Sequence, residues 1–307
     1  MPDKASPQEP GGEGSPQQNQ PFKVLPQHRD HSRRWQDNLY VYPVISRRSR
    51  GLSIGVNLNP DTACNFDCIY CQVDRTVEPR TRTVELPILR AELEDMIQRA
   101  TSRSLFQEPP FDTVPVELQV IRDMAFSGDG EPTTCPIFLE SVQLAAELRE
   151  RFQLSESQIV LITDAAYLDK PAVKQALHVM DENGGKIWAK LDAGTEEYYQ
   201  AINKPNMPLS RVMQNILDAA RVRPVVIQSM FLRLDDHPPS DMEIEAYIRR
   251  LLDIREGGGT VEYVQVYTVA RPPAQSSVSA LTHDEVDAIV KAVRQAGFEA
   301  EPFYGAS

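Results

Sequence analysis

The sequence predicts an α/β fold, a partial (β/α)6-type TIM-like barrel with parallel strands. Three observations predict it. From residue 51, short β-branched runs alternate with amphipathic stretches in about six units, the pattern of strands joined by helical crossovers. The chain has 307 residues, enough to bury a core of that size. Polar and cysteine-rich segments follow directly after several of the runs, where a parallel sheet places its chemistry. A doubly wound open sheet is the competing architecture.

Taken in order, residues 1–21 hold no large apolar side chain after Met1 and are rich in Pro, Gly, Gln and Ser. Such a segment buries too little surface to offset its ordering entropy, so it reads as a disordered tail. Residues 22–50 read as a basic N-terminal arm with scattered aromatics: Phe22, Trp35, Tyr40 and Tyr42. Residues 51–307 read as the barrel domain. Its strand runs are LSIGVNL (52–58), RDMAFS (122–127), QIVLIT (158–163), KIWAKLD (186–192), VVIQSMF (225–231) and EYVQVYT (262–268), with FEAEPFY (298–304) as an edge strand. Helical periodicity covers 84–100, 137–152, 172–180, 210–222, 242–255 and 284–297. In 84–100, Leu86, Leu89, Leu93, Met96 and Ile97 share one face. In 137–152, Phe138, Val142, Ala145 and Leu148 do.

The formal net charge is −12, which disfavours general nucleic-acid binding. Residues 23–50 run against this trend. Lys23, Arg29, Arg33, Arg34, Arg47, Arg48 and Arg50 face only Asp30 and Asp37. The cluster reads either as a solvated surface arm or as an anion site for a phosphate, a carboxylate or RNA. No run reaches the roughly 18 apolar residues of a membrane helix, and the N-terminus lacks a signal-peptide core. No membrane association and a cytoplasmic location are expected.

Cys64, Cys68 and Cys71 form C-x3-C-x2-C in ACNFDCIYCQ (63–72), and the only other cysteine is Cys135. Clustered thiols outside an oxidising compartment indicate metal rather than disulfides. A structural zinc site closes a tetrahedron with four ligands. Three thiolates on a [4Fe–4S] cluster leave one iron open. The second segment is SGDGEPT (127–133), whose glycines allow a ligand close to the backbone. Alone, it reads as an acidic turn before a helix. Cys135, just beyond it, reads as a small buried thiol, and His178 as a helix-surface or packing residue.

Together, the C-x3-C-x2-C loop after a strand, Tyr70 before its last cysteine, and GDGEPT one unit later resemble the radical S-adenosylmethionine (SAM) superfamily. SRRSRGLSIGVNLNPDTACNFDCIYCQVDR (46–75), FSGDGEPT (126–133), KLDAGTEEYYQAINKP (190–205) and VQVYTVARPP (264–273) resemble the group that includes the wyosine-base-forming tRNA enzymes and their bacterial relatives. The tRNA enzyme carries a second set of cluster cysteines, which this chain lacks. The resemblance implies that Cys64, Cys68 and Cys71 hold a [4Fe–4S] cluster. It implies SAM contacts from Gly128, Asp129, Gly130, Glu131 and Pro132, with the carboxylate facing the SAM ammonium. Tyr70 is expected near the adenine, and Thr163 and Asp164 beside SAM. Lys190 and Asp192, two apart on one strand face, are the catalytic candidates; a structural Lys–Asp pair is the alternative. Gln228 and Arg271 complete the expected cofactor set. A flavodoxin- or ferredoxin-type electron donor and an unidentified substrate, RNA through 23–50 or a small molecule, are the implied partners. A glycyl-radical activase, a non-enzymatic Fe–S carrier or sensor, and a zinc interaction module are the competing readings.

Overall fold

The computed structural model describes residues 35–271 and 275–305. The tail 1–21, the first part of the basic arm and Pro272–Pro273 of the last motif lie outside the described residues.

Eight strands form one sheet: β1 (Val41–Ser46), β2 (Gly51–Val56), β3 (Ile121–Phe126), β4 (Gln158–Thr163), β5 (Gly185–Lys190), β6 (Val225–Met230), β8 (Val261–Tyr267) and β10 (Ala300–Phe303). They lie side by side in chain order, β1-β2-β3-β4-β5-β6-β8-β10. β1 pairs antiparallel with β2, and every other neighbouring pair is parallel. The sheet curls into a half-barrel, in agreement with the predicted class. The connections carry α1 (Leu86–Thr101), α2 (Phe138–Arg151), α3 (Pro171–Glu182), α4 (Glu196–Asn203), α5 (Leu209–Val222), α6 (Asp241–Glu256) and α7 (His283–Gln295). A separate two-stranded sheet pairs β7 (Leu232–Leu234) with β9 (Val278–Ala280).

Strand alternation explains the two faces. Leu52, Ile54 and Val56 of β2, Met124 and Phe126 of β3, Ile159 and Leu161 of β4 and Ile187 of β5 join the large core under the helices. The faces predicted for the first two helices are buried there, except that Leu86 is half-buried. The inner face is different. Ala125, Val160, Trp188 and Val226 form only a small cluster, packed by Ile162 and Tyr263. Most other inward positions, such as Ser53, Gly55, Asp123, Lys190 and Gln228, are polar or small and line a cavity.

β1, α4 and the β7–β9 pair differ from the sequence reading. Residues 41–46 were expected within an arm, but they form β1, and Tyr40 and Tyr42 are buried. Pro43 hides the strand signal in VYPVIS, although proline is tolerated on an edge strand, and β1 is the edge. Helix α4 was not expected. It is eight residues long and starts at Thr195, whose side chain accepts from the Tyr198 N–H.

Candidate functional site

The cysteine loop leaves the end of β2 and is fastened on two sides. Asn57 ties it to the SGDGEPT turn. Its Oδ1 accepts from the N–H groups of Asn59 at 3.0 Å and Asp129 at 3.2 Å, and its Nδ2 donates to Asp129 Oδ2 at 2.7 Å. The far side hangs on the end of α4, where the Ile69 N–H donates to the Ile202 carbonyl at 2.9 Å and Phe66 packs edge-on against Tyr199. A turn from the Cys71 N–H to the Cys68 carbonyl, 2.9 Å, brings the last two cysteines together.

Cys64, Cys68 and Cys71 line one cavity of about 380 Å³ inside the half-barrel. Gly128, Asp129, Gly130, Glu131, Asp164, Tyr70, Lys190, Gln228 and Arg271 line it too. The structure thus brings most of the expected residues to a single space. Thr163 and Asp192 stand behind its wall, and Pro132 starts a short 3-10 turn that is itself buried.

Burial pushes the Cys64 thiol up, and pushes Cys68 up to about 12 although Lys190 pulls against it. Cys68 Sγ also accepts from Asn203 Nδ2 at 3.6 Å. A thiol so placed becomes a thiolate when a metal displaces its proton.

Glu131 is turned into the protein. Its carboxylate accepts from the Thr133 N–H at 3.1 Å, Thr133 Oγ1 at 2.5 Å, Thr163 Oγ1 at 2.7 Å and the Asp164 N–H at 2.8 Å. It therefore pins the turn to the end of β4, and Thr163 is one of its holders. Beside it, Asp164 Oδ1 accepts from the Ala166 N–H at 2.9 Å. Asp164 Oδ2 has no hydrogen-bond partner among the described residues. Burial raises both carboxyls, and the neighbouring Glu131 charge raises Asp164 further. The four donors favour the ionised form of Glu131, so the proton of the pair sits on Asp164.

Lys190 Nζ lies 3.4 Å from Asp192 Oδ2 and 2.8 Å from the Tyr267 hydroxyl. Burial works to lower Lys190, but Asp192, Tyr267 and Cys68 outweigh it and hold it above its ordinary value. It is a fixed cation. Asp192 accepts from the Tyr70 hydroxyl, from Asn203 Nδ2 at 2.9 Å and from the Met230 N–H at 2.8 Å. Tyr70 is buried and anchors Asp192. Gln228 Nε2 donates to Gln265 Oε1 at 3.0 Å, whose own amide donates to Tyr263. The Arg271 carbonyl accepts from Gln72 Nε2 at 3.2 Å. Cys135 is half-buried against the core, and His178 is exposed on α3.

Asp123 lines the same cavity on β3 and is bonded by the Ser53 hydroxyl. Burial raises its carboxyl, while Ser49, Ser53 and Arg48 pull it back. The folded chain then holds a proton that the unfolded chain releases in the ordinary carboxyl range. Stability falls as pH climbs from that range through the raised value. Asp123→Asn is expected to remove this fall, so that its Tm against pH runs flatter than wild type across the window. Parallel curves in thermal unfolding would refute the assignment.

Several site residues carried no sequence signal. Asn57, Asn203, Tyr267 and Asp123 are single polar residues with no spacing rule. Asn57, Tyr267 and Asp123 could have been raised only by their positions at strand ends or on inward strand faces, and Asn203, which ends α4, by none.

The residues fit the implied cofactors. Three soft thiols suit iron–sulfur ligation. A Cβ on Gly128 would meet Asn57 Oδ1 at 2.3 Å, and one on Gly130 would meet the Ala63 carbonyl at 2.0 Å. The turn therefore packs its bare backbone against the cysteine loop. Asp164 Oδ2 and Asn65 Nδ2 have no hydrogen-bond partner among the described residues, which leaves polar capacity beside the cavity for a ligand. Among the described residues, no three His, Cys, Asp or Glu side chains converge as a single-ion site requires. A cluster presents its irons at separate corners and needs no such convergence.

No family model matches the chain. A GTPase Obg of Brachyspira hyodysenteriae is 24% identical over 247 residues, covering 80% of this chain and 32% of that protein. A UPF0026 protein of Methanocaldococcus jannaschii is 28% identical over 176 residues, 57% of this chain and 46% of that one. The chain thus spans about a third to a half of the length of these curated relatives. A solved radical SAM methyltransferase from Sphaerobacter thermophilus superposes with a TM-score of 0.60 at 14% identity, covering 86% of this chain and 69% of that one. Streptococcus suis SuiB bound to S-adenosylmethionine superposes at 0.52 with 10% identity, over 84% of this chain and 49% of that one. No helix among the described residues is long and apolar enough to cross a membrane. The half-barrel is thus a fold shared with that solved radical SAM methyltransferase and with SuiB.

Proposed function

We propose that the chain is a radical SAM enzyme, with Cys64, Cys68 and Cys71 holding a [4Fe–4S] cluster and the Gly128–Glu131 turn lying along SAM. One observation carries this: the three thiols, the bare glycine turn and a fixed lysine cation share a single half-barrel cavity. When bound, the cluster and SAM supply a reductively generated 5′-deoxyadenosyl radical that abstracts hydrogen from the substrate. The protein's part is positioning and exclusion of water. Lys190 cannot accept a proton in its charged state, so it acts as an electrostatic contact, and Asp192 with Tyr70 and Tyr267 holds it in place. The electron comes from a flavodoxin- or ferredoxin-type donor. A small substrate suits the described inner face; RNA through the basic arm 23–50 is the alternative, and residues 23–34 of that arm lie outside the described residues.

Anaerobic reconstitution with iron and sulfide, followed by dithionite and SAM, is expected to yield 5′-deoxyadenosine by mass spectrometry. A cluster that neither binds nor cleaves SAM would favour an electron carrier or sensor. Zinc in protein isolated without oxygen would favour an interaction module.

A further inference from the structure

Besides Lys190, the cavity lining holds a second cationic group, outside the residues assigned to the cofactors. Arg47 and Arg48 sit in the turn joining β1 to β2 and line the cavity with Ser46, Ser49 and Trp188. The Arg48 guanidinium lies over the Trp188 ring at 5.1 Å and the Tyr267 ring at 5.8 Å from their centroids. Stacking of this kind fixes the plane of the fork and leaves its N–H edges available. Arg48 makes no hydrogen bond and no ion pair at 4 Å or less with a described residue. Arg47 spends one nitrogen on the Tyr304 carbonyl at 2.9 Å, which fixes it across the seam between β1 and the end of β10. Tyr267 links the two cationic positions, with its ring under Arg48 and its hydroxyl on Lys190.

We infer that Arg47 and Arg48 form an oxyanion subsite, and that the substrate of this cavity carries a carboxylate or phosphate group seated on them. The inference rests on the radical SAM reading for the identity of the cavity as a substrate site. A pre-oriented guanidinium fork matches the paired oxygens of either anion through charge-assisted hydrogen bonds. Among the described residues, Tyr267, Asp123 and Tyr263 act on Arg48; the one carboxylate of these, Asp123, is itself engaged by Ser53. A bare arginine pair serving only as a plug would be expected to close on an acidic partner instead. Burial lowers both guanidinium groups from their ordinary value, with the two arginines opposing each other at Arg47. A bound anion relieves that burial cost.

Trp188 reports on the subsite directly. The chain has two tryptophans, so the Trp35→Phe protein carries Trp188 alone. In the reconstituted full chain with saturating SAM, inorganic phosphate and acetate are titrated against chloride at matched ionic strength while Trp188 emission is followed. A saturable change with phosphate, acetate or both is expected, and the arm that saturates names the anion. Arg48→Gln is expected to weaken that binding about tenfold or more, with Arg48→Lys between. Arg47→Gln serves as a second variant, and thermal unfolding of each checks folding. Absence of a saturable response in the Trp35→Phe protein, or an unchanged one in folded Arg48→Gln, overturns the subsite. So does a response seen only without SAM, since the anion would then occupy the cofactor's place. Deoxyadenosine formation in the same preparation is read separately. Deoxyadenosine without an oxyanion response overturns the subsite alone; its absence from a loaded cluster overturns the radical SAM reading and, with it, the assignment of the anion to a substrate.

Discussion

Cys68→Ala is expected to abolish 5′-deoxyadenosine formation to the detection limit and to lower the iron retained after reconstitution. Cys68 is the most deeply placed of the three thiols. It is gripped by the Asn203 amide and carried by the turn that also sets Cys71. Its burial holds the thiol up to about 12, so a bound metal, rather than pH, makes it a ligand. Removing it leaves two thiolates for a cluster that needs three. Cys135→Ala is the matched control. That residue packs against the core away from the cavity lining, and the variant is expected to retain full iron and full deoxyadenosine yield. Equal losses in the two variants would mean that thiol chemistry in general, rather than the C-x3-C-x2-C loop, sustains the activity.

Glu131→Ala is expected to cost roughly 3 kcal/mol of stability, because the buried carboxylate accepts four hydrogen bonds and charge-assisted bonds are the stronger kind. Its loss strands the Thr133 and Asp164 N–H groups and frees the turn from β4. Deoxyadenosine formation is expected to fall with it, since Gly128 and Gly130 would lose their fixed distance from the cysteine loop. Urea unfolding measures the first effect and the SAM-cleavage assay the second. A variant with unchanged midpoint and slope in urea would show that the carboxylate does not brace the turn. The sequence led to a different role for this residue, as a partner of the SAM ammonium. The structure instead gives its oxygens to the protein and leaves Asp164 Oδ2 as the unpartnered acidic oxygen beside the cavity.

The barrel was legible because its two periodicities are physical consequences of burial on both sheet faces. QIVLIT matches β4 end for end, and six helical stretches fall on α1, α2, α3, α5, α6 and α7. The misses share a cause. Pro43 breaks the β-branched pattern of β1, and α4 is too short to repeat an apolar stripe; its local marks are the Thr195 cap and the acidic first turn, Glu196 and Glu197. The cysteines and SGDGEPT were legible because covalent spacing and glycine conformational freedom leave traces in a linear chain. Asn203 left none, because it meets Cys68 across 135 residues. Arg48 is intermediate: the sequence showed a basic cluster, but only the fold separates Arg47 and Arg48, on the cavity, from exposed Arg50.

The order of the strands bears on how the chain reaches this state. The strands of the large sheet lie side by side in the order in which the chain makes them, with β7 and β9 set aside in the small sheet. Each strand therefore docks on one already made; the longest such closure, over residues 57–120 between β2 and β3, adds entropy cost only logarithmically with its length. Such a sheet can be laid down in the direction of synthesis, from β1 onward, while the ribosome is still extending the chain. The bond from Arg47 to the Tyr304 carbonyl spans 257 residues and belongs to the last stage of assembly. The arginine end of the cavity is thus completed only after the final strand has been made.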